Sequence, residues 1–510
     1  MPLDEIGRTS LTDNDMNRVA ESILEEARRR KGRRVVLDSK WKEIDRQVEM
    51  EPRQKLDVSG RTLEAAEWMA NLELPLQADT LEVLIADTRR LMFPTERSFF
   101  AANCILDDDN LERLRGKNDL IAGLDTGLQE LLTGLGKAEI DQDFVNEINA
   151  AALRHFHRMY RVRDVWDLLN GEAFKYGTFI ARARRVDLTR FANDTDGVRR
   201  VKRKIPVLIP RSVKDVFLDD TEHSVRNQGL MVEPSVIEWT WHRLPDLQKA
   251  ARAGSSDPTD ENGGWIKRNI VNEEPFQKSD NLVQLIEFEG DAQVVRSEGS
   301  DIFLPNMMLT VMVSRGGPRI IRMREREFAF RSYIIGHYQR SDILSAYATS
   351  PLMVGSPIHK AATEALNRVL EVAALNAGPP GQWDPSDSYL QASGGPVLEP
   401  KALWEAIGDI KFHQIGDASV MLQIYLALLQ QYSDATGTSA PRLGAQTKSH
   451  QTAFAVDSEQ TRGLVRTVDY ARSTMIGPTA QWLWMEHEMA KKSLRSDTVY
   501  LDRFQAYVNL

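Results

Sequence analysis

The chain has 510 residues, 42% hydrophobic and 27% charged, a balance that excludes wholesale disorder and collagen-like sequence. At roughly 150 residues per domain it holds about three units or one elaborated body, and no run approaches the ~18 apolar residues of a membrane-crossing helix. Its 65 basic and 74 acidic side chains leave a net charge of −9, which argues against tight wrapping of nucleic acid, where Lys and Arg supply most of the affinity, but allows a protein that DNA merely passes.

The opening MPLDEIGRTS has neither a basic n-region nor an apolar h-region, so no secretory signal is expected. The single cysteine, Cys104, excludes an intramolecular disulfide framework and fits a reducing compartment.

In chain order, Glu25 and Glu26 precede a basic run, Arg28, Arg29, Arg30, Lys31, Arg33 and Arg34. Glu at the start and Arg at the finish of a helix complement its dipole, so the run reads as a solvated helix end, with a nucleic-acid patch as the alternative. From Leu63 to Met92 apolar residues recur at helical spacing, with Pro75 marking a boundary. Leu111 to Leu135 and Phe144 to Phe174 continue the helical pattern. The second ends at Tyr176-Gly177-Thr178, where Phe179 and Ile180 open a short strand, and Lys204 to Leu218 reads as β.

Next, HRLPDLQKAARAG carries Pro245 in its first turn and Gly254 at its end, the favoured helix punctuation. Three strand-like runs follow, Asn281 to Glu289, Asn306 to Ser314 and Arg319 to Phe330, the last two joined by a hairpin signal, Arg315-Gly316-Gly317-Pro318. In the third run Arg322, Arg324 and Arg326 alternate with Met323, Glu325 and Glu327. Such a strand either faces solvent or pairs with a neighbouring subunit or charged partner.

Ser356 and Pro357 then read as N-cap and N1 of a helix that closes at Gly378 before Pro379 and Pro380. Its stripe of Ile358, Ala361, Ala362, Ala365, Leu366, Val369, Val372 and Ala373 suits close side-by-side packing, with His359, Thr363, Asn367 and Arg368 on the other side. Gly and Pro dominate from Gly378 to Pro400, and the rest is helical, with a break at Gly477-Pro478.

Motifs that carry chemistry are scarce. The chain has no GxxxxGK[ST], no HExxH, no GxSxG and no strand-following GxGxxG. His155 and His157 lie two apart on a helix and point away from each other, so they do not share a metal. Asp107, Asp108 and Asp109 precede a helix and read as capping residues. Asp219 and Asp220 follow a strand without partner acids. Trp166, Trp404, Trp482 and Trp484 sit on helical stripes and read as core. Catalysis is not expected, and no cofactor is implied.

Taken together, the order of elements is an α+β one: a helical and β body, a helix, a small three-stranded insertion, a long alanine-rich helix, a Gly/Pro loop and terminal helices. It resembles the portal protein, or head-to-tail connector, of tailed bacteriophages, chiefly short-tailed ones, from about Trp41 to Lys492. The resemblance is carried by LLNGEAFKYGTFIARARRV (Leu168 to Val186), FAFRSYIIGHY (Phe328 to Tyr338), SPLMVGSPIHKAATEALNRVLEVAALNAGPP (Ser350 to Pro380) and TAFAVDSEQTRGLVRTVDYARSTMIGPTAQWLW (Thr452 to Trp484). Two departures stand beside it: the aromatic-Gly-Arg-Ser turn common before the stem helix reads Val354-Gly355-Ser356, and the first stem helix, near Arg243 to Gly254, is short.

The resemblance implies a charged N-terminal segment over 1–40, a wing over 41–242, a first stem segment over 243–280, a clip over 281–345, a second stem helix over 346–378, a tunnel loop and wing return over 379–415, and wing and crown helices over 416–510. It implies a ring of about twelve copies at one capsid vertex of the virion, assembled in the host cytoplasm without a membrane. Double-stranded DNA would pass through the ring; the terminase large subunit, a tail adaptor, and the major capsid and scaffolding proteins would be its partners. His359, Lys360, Arg368 and Gln382 are then expected at the channel, with the loop Gly378 to Asp384 approaching DNA. Arg319, Arg322, Arg324 and Arg326 are expected at clip contacts with a neighbour or the motor. The alternatives are a hydrolase whose carboxylates only the fold brings together, or another capsid-assembly protein.

Overall fold

The computed structural model describes residues 12–52, 69–93, 160–194, 197–219, 235–257, 263–271, 277–278, 282–294, 302–314, 316–326, 328, 330–339, 345–377, 381–382, 411–412, 418–438, 465–493, 498–501 and 506–509, with isolated positions between 146 and 157. The fold is mixed helix and sheet. Its elements are α1 (Asp13–Val48), α2 (Leu76–Met92), α3 (Val162–Tyr176), β1 (Thr178–Asp194), β2 (Gly197–Arg211), β3 (Val216–Leu218), β4 (Val236–Arg243), α4 (Leu244–Ala253), α5 (Lys267–Val271), β5 (Gln277–Lys278), β6 (Leu282–Val294), β7 (Ile302–Ser314), β8 (Gly317–Glu325) and β9 (Tyr333–His337). The long helix α6 (Pro351–Ala377) follows, then the short pair β10 (Gly381–Gln382) and β11 (Lys411–Phe412), α7 (Ala418–Thr436), α8 (Ile476–Ser493), β12 (Thr498–Leu501) and β13 (Ala506–Asn509). The helix expected over Leu111 to Leu135, Cys104, Asp107 to Asp109, Asp220, Trp404 and the Gly378 and Trp383–Asp384 parts of the loop lie outside the described residues.

Two antiparallel sheets organise the chain. One has the order β2-β1-β9 and the other β3-β4-β6-β7-β8, with β5 pairing β6. Helix α1 runs past both. It begins with a capping box, in which the Thr12 hydroxyl accepts from the Asp15 amide while the Asp15 carboxylate accepts from the Thr12 amide. Val19, Ile23 and Ala27 pack on Phe217, Ile237, Ile286 and Leu309 of the larger sheet. About four turns further on, Trp41 joins Tyr176, Ile180 and Tyr333, and Ile44 enters the main core with Trp166, Phe174, Phe179, Trp482 and Met485. Large apolar side chains of this kind contribute about 1.5–3 kcal/mol each on burial. On the other face of the larger sheet, Leu247 and Ala251 of α4 and Ile270 of α5 cover Val283, Leu285, Met312 and Ile321.

The basic run on α1 differs from its expected solvated form. Arg30 and Arg34 recur at the helical spacing of the buried stripe and are 4% exposed. Arg30 donates to Phe217 O and Ser235 O, and Arg34 to Val213 O, Lys214 O and Val216 O. These carbonyls lie on the edge strand β3 and in the chain around it, and a guanidinium presents enough donors to satisfy several at once. Arg28, Arg29 and Arg33 remain exposed.

Helix α3 ends at Gly177, as the sequence predicts, in a left-handed conformation (φ 80°) where a Cβ would strike the backbone of Ala348. The strand after it is a 17-residue one, longer than expected, because β1 runs on into the β1–β2 hairpin. The three-strand run and its hairpin turn are borne out as β6, β7 and β8, and Arg243-Leu244-Pro245 opens α4 with Pro at its first turn. The break expected at Gly477-Pro478 falls earlier, in a π-helical turn at Tyr470–Thr474, and Pro478 is accommodated in the first turn of α8. Trp166 and Trp482 are core residues, but Trp484 is 51% exposed.

Candidate functional site

The start of α6 lies six residues before the expected Ser356-Pro357. Ser350 accepts from the Met353 amide at 2.9 Å and Pro351 takes the first helical position, so the same capping chemistry is supplied by an earlier Ser-Pro pair. Pro357 is inside the helix, where it removes one hydrogen bond to Met353 O.

The faces of α6 also differ from the sequence reading. Leu352, Gly355, His359, Ala362 and Thr363 are buried, while Ala361 and Ala373 are exposed and Ile358, Ala365, Leu366, Val369 and Val372 half-buried. His359 is fully enclosed, with Nε2 2.9 Å from Leu74 O, Nδ1 3.6 Å from Glu73 and its ring against Tyr432. Its place is in the core of the chain itself, so His359 is withdrawn from the channel-facing set. Burial, opposed by the Leu74 carbonyl and Glu73, holds its imidazole below the usual histidine range. Lys360 and Arg368 are exposed on the same helix, and Arg368 lies 3.4 Å from Glu371. Gln382 is in β10, where its backbone pairs with Lys411; its side chain lies outside the described set.

Helix α7 packs antiparallel on α6, since Gly355 near the start of α6 meets Tyr432 and Thr436 at the end of α7. Tyr432 and Thr436 are the residues α7 buries fully. From Ala418 to Ser433 the helix has no charged residue, yet Val420, Met421, Leu422, Ile424 and Leu426 are 39–55% exposed. An apolar surface of this kind on a water-facing helix marks a contact site.

The arginine strand is β8, an edge of the larger sheet. Thr310 pairs with Arg322 and Val311 with Ile320, so a bulge at Ile321 shifts the alternation. Arg322 donates to Gly263 O at 2.9 Å and lies over the Trp265 ring at 5.0 Å. Residues 264–266 bond to Ile321 O and Met323 N, so part of this edge is paired within the chain itself. Arg319, opposite Met312, is half-buried, and Arg326 bonds Asn306. Burial, together with the charge of Arg324, brings the Arg322 guanidinium down to about 10; burial with Arg182 and Arg184 lowers Arg324.

Between the two sheets lies an ionic cluster that sequence reasoning missed. Arg182 on β1 reaches Glu287 on β6 and Glu238 on β4, the latter at 3.3 Å; Arg211 on β2 is 3.1 Å from Glu238, and Tyr333 on β9 donates to it. Burial raises the carboxyl of Glu238 against the pull of Arg182 and Arg211, whereas at Glu287 the charge and hydrogen bond of Arg182 overcome burial and hold it down to about 2. The only sequence signal was a lone Arg in the apolar run Phe179-Ile180-Ala181-Arg182-Ala183. Beside the cluster a cleft of about 340 Å³ is lined by Arg182, Arg184, Arg185, Lys204, Arg324 and Arg326.

Of the two histidines weighed for metal, His155 is outside the described residues. His157 lies 2.7 Å from the buried Glu486 and stacks on Trp482, with Tyr160 donating to the same carboxylate. Among the described residues no cluster of metal-ligating side chains occurs, and no helix is long and apolar enough to cross a membrane. Asp219 lies 3.7 Å from Arg30. A larger cavity, of about 860 Å³, is bounded by His337, Gln339, Ser350, Arg466, Asp469 and Tyr470 among others.

No protein-family model matches this chain, and no curated protein matches it.

Proposed function

We propose that this chain is the subunit of a portal ring, the head-to-tail connector of a tailed bacteriophage, and that it serves as a DNA conduit and docking platform. The observation that carries the reading is the apolar, uncharged surface of α7 beside the half-exposed alanine-rich stripe of α6. In a lone subunit both are open to water; in a closed ring, a neighbour's complementary surface covers them through a head-to-tail interface. The order of elements and the four stretches quoted above support the same reading.

In this reading about twelve copies surround a channel, with double-stranded DNA inside and the terminase large subunit and tail adaptor docking at the clip. The subunit's net charge of −9 suits a lumen that repels phosphates, so that DNA slides without sticking. Lys360 and Arg368 are the exposed cations of α6 that would meet it. The test is assembly: the purified protein forms a ring-sized oligomer, and acidic substitutions on α7 disperse it. A monodisperse monomer at high concentration, also in the presence of a scaffolding protein, overturns the proposal.

A further inference from the structure

We propose that the cavity at the start of α6 is a binding site for a carboxylate ligand with an apolar body, held by Arg466. The inference does not rest on the ring reading. The cavity has a volume of about 860 Å³, within the span of roughly 300–1,000 Å³ that ligand pockets occupy. Stretches far apart in sequence meet there: β9 and the two residues after it, the first turn of α6, the end of α7, the helical segment 465–469 with Tyr470, and Pro478 of α8.

Arg466 is set in place by the chain itself. Its Nη1 donates at 2.7 Å to Ala435 O, one of the last-turn carbonyls that a helix leaves without an internal donor. The side chain crosses Gly437, which is left-handed (φ 75°) and where a Cβ would come within 3.1 Å of Arg466 Cδ. Among the described residues Arg466 makes no other hydrogen bond and no ion pair. The Nε–Nη2 edge is therefore open to a ligand, and that edge of a guanidinium matches the two oxygens of a carboxylate. Tyr338 supplies a further donor. Its ring packs on Phe174 and Tyr470, at 5.8 and 5.2 Å between centroids, and its hydroxyl makes no hydrogen bond among the described residues. Burial raises that hydroxyl above the usual phenol range, opposed by the charge of Arg466 and aided by that of Asp469. It is a protonated donor at neutral pH, within reach of the Arg466 charge.

A carboxylate fits better than a phosphate. Arg466 brings one positive charge, and Asp469, one turn along the same segment, lines the cavity with a negative one. A phosphate monoester carrying up to two charges meets more repulsion there than a singly charged carboxylate does. The remaining walls are apolar: Ile335, Pro351, Val354, Pro478 and the Tyr470 ring. Val354 is 47% exposed, apolar surface that a hydrocarbon or aryl body would take out of water. The carboxylate belongs either to a free organic acid or to the C-terminus of a polypeptide. A cavity bounded by so many separate stretches favours the compact free acid.

The experiment is a ligand-observed NMR titration of the full-length protein with phenylacetate, against the neutral phenylacetamide at matched ionic strength. Saturable binding of the acid is expected, at least about tenfold tighter than that of the amide. Arg466→Gln is expected to weaken it at least about tenfold and Tyr338→Phe at least about threefold, while Lys360→Gln/Arg368→Gln on α6 leaves it unchanged. Tyr338→Phe keeps the ring packing and is read alone if Arg466→Gln, which also frees Ala435 O, does not fold by circular dichroism. A second arm adds a short leucine-ended peptide with a free or an amidated C-terminus. Displacement of phenylacetate by the free-ended peptide alone identifies a polypeptide C-terminus as the source, and binding of phenylacetate that neither peptide displaces identifies a free organic acid. No saturable binding, equal binding of acid and amide, or equal loss in the cavity and α6 variants overturns the proposal.

Discussion

Gly355 on α6 lies against the ring of Tyr432 on α7, so closely that a Cβ on Gly355 would come within 2.8 Å of the ring and of the Thr436 methyl. The Tyr432 hydroxyl in turn donates to Leu76 O and accepts from the Thr80 hydroxyl of α2, both at 3.1 Å. One glycine thus sets how the long helix, α7 and α2 meet. Gly355→Val is expected to destabilise the fold by about 1–3 kcal/mol through overpacking, with Tyr432→Phe costing about 0.5–1.5 kcal/mol for its lost hydrogen bonds. Chemical denaturation measures both; a Gly355→Val chain as stable as the parent contradicts this packing.

Arg34 and Arg33 are neighbours in sequence with opposite fates. Arg34→Ala leaves the carbonyls of Val213, Lys214 and Val216 without their buried donor and is expected to cost about 3 kcal/mol or more. Arg33→Ala, at an exposed position, is expected to stay within about 0.5 kcal/mol of the parent. Equal effects on the denaturation midpoint would contradict the assignment.

His359 gives a pH dependence of defined sign. Its imidazole is held below the free value of 6.5 by burial and by Arg46, against Glu73, Glu43 and the Leu74 carbonyl. The unfolded chain therefore binds a proton more readily than the folded one, and this site loses stability as pH falls below about 6.5. His359→Gln keeps a donor for Leu74 O and cannot titrate. Thermal melts between about pH 7 and 5 are expected to show a shallower acid-side decline in His359→Gln than in the parent; an unchanged or steeper decline contradicts the account.

Acidic substitutions on α7 separate folding from assembly. Leu422 and Leu426 are 44% and 55% exposed, so Leu422→Glu/Leu426→Glu is expected to change stability of the subunit by no more than about 0.5 kcal/mol per site while abolishing oligomerisation. Circular dichroism and light scattering read the two effects. A variant that assembles normally shows that this surface is not the interface.

What the sequence made legible was local. Gly177 at a left-handed helix end, Pro245 in a first turn and the Gly316-Gly317 hairpin are dictated by backbone chemistry within a few residues, and each is where its residues predict. The faces of α6 were misread because alanine is permissive of either environment and because His359 looks polar until Leu74 O and Glu73 are brought to it. Arg30 and Arg34 looked like a charge run for the same reason: their partners on β3 and the loops around it lie about 180–200 residues away. The Arg182 cluster and the cationic cleft were hidden more deeply, since each draws on strands that only the two-sheet topology places side by side. Ser350-Pro351 against Ser356-Pro357 shows the limit of motif reading: two equal caps, of which the bond from Met353 selects the first.

Negative-stain imaging of the purified recombinant protein, with its mass measured by mass photometry, tests the central claim most directly. The account predicts annular particles with a mass near about twelve times that of the 57.8 kDa subunit. A compact monomer or dimer without a central opening, unchanged when scaffolding protein is added, would contradict it.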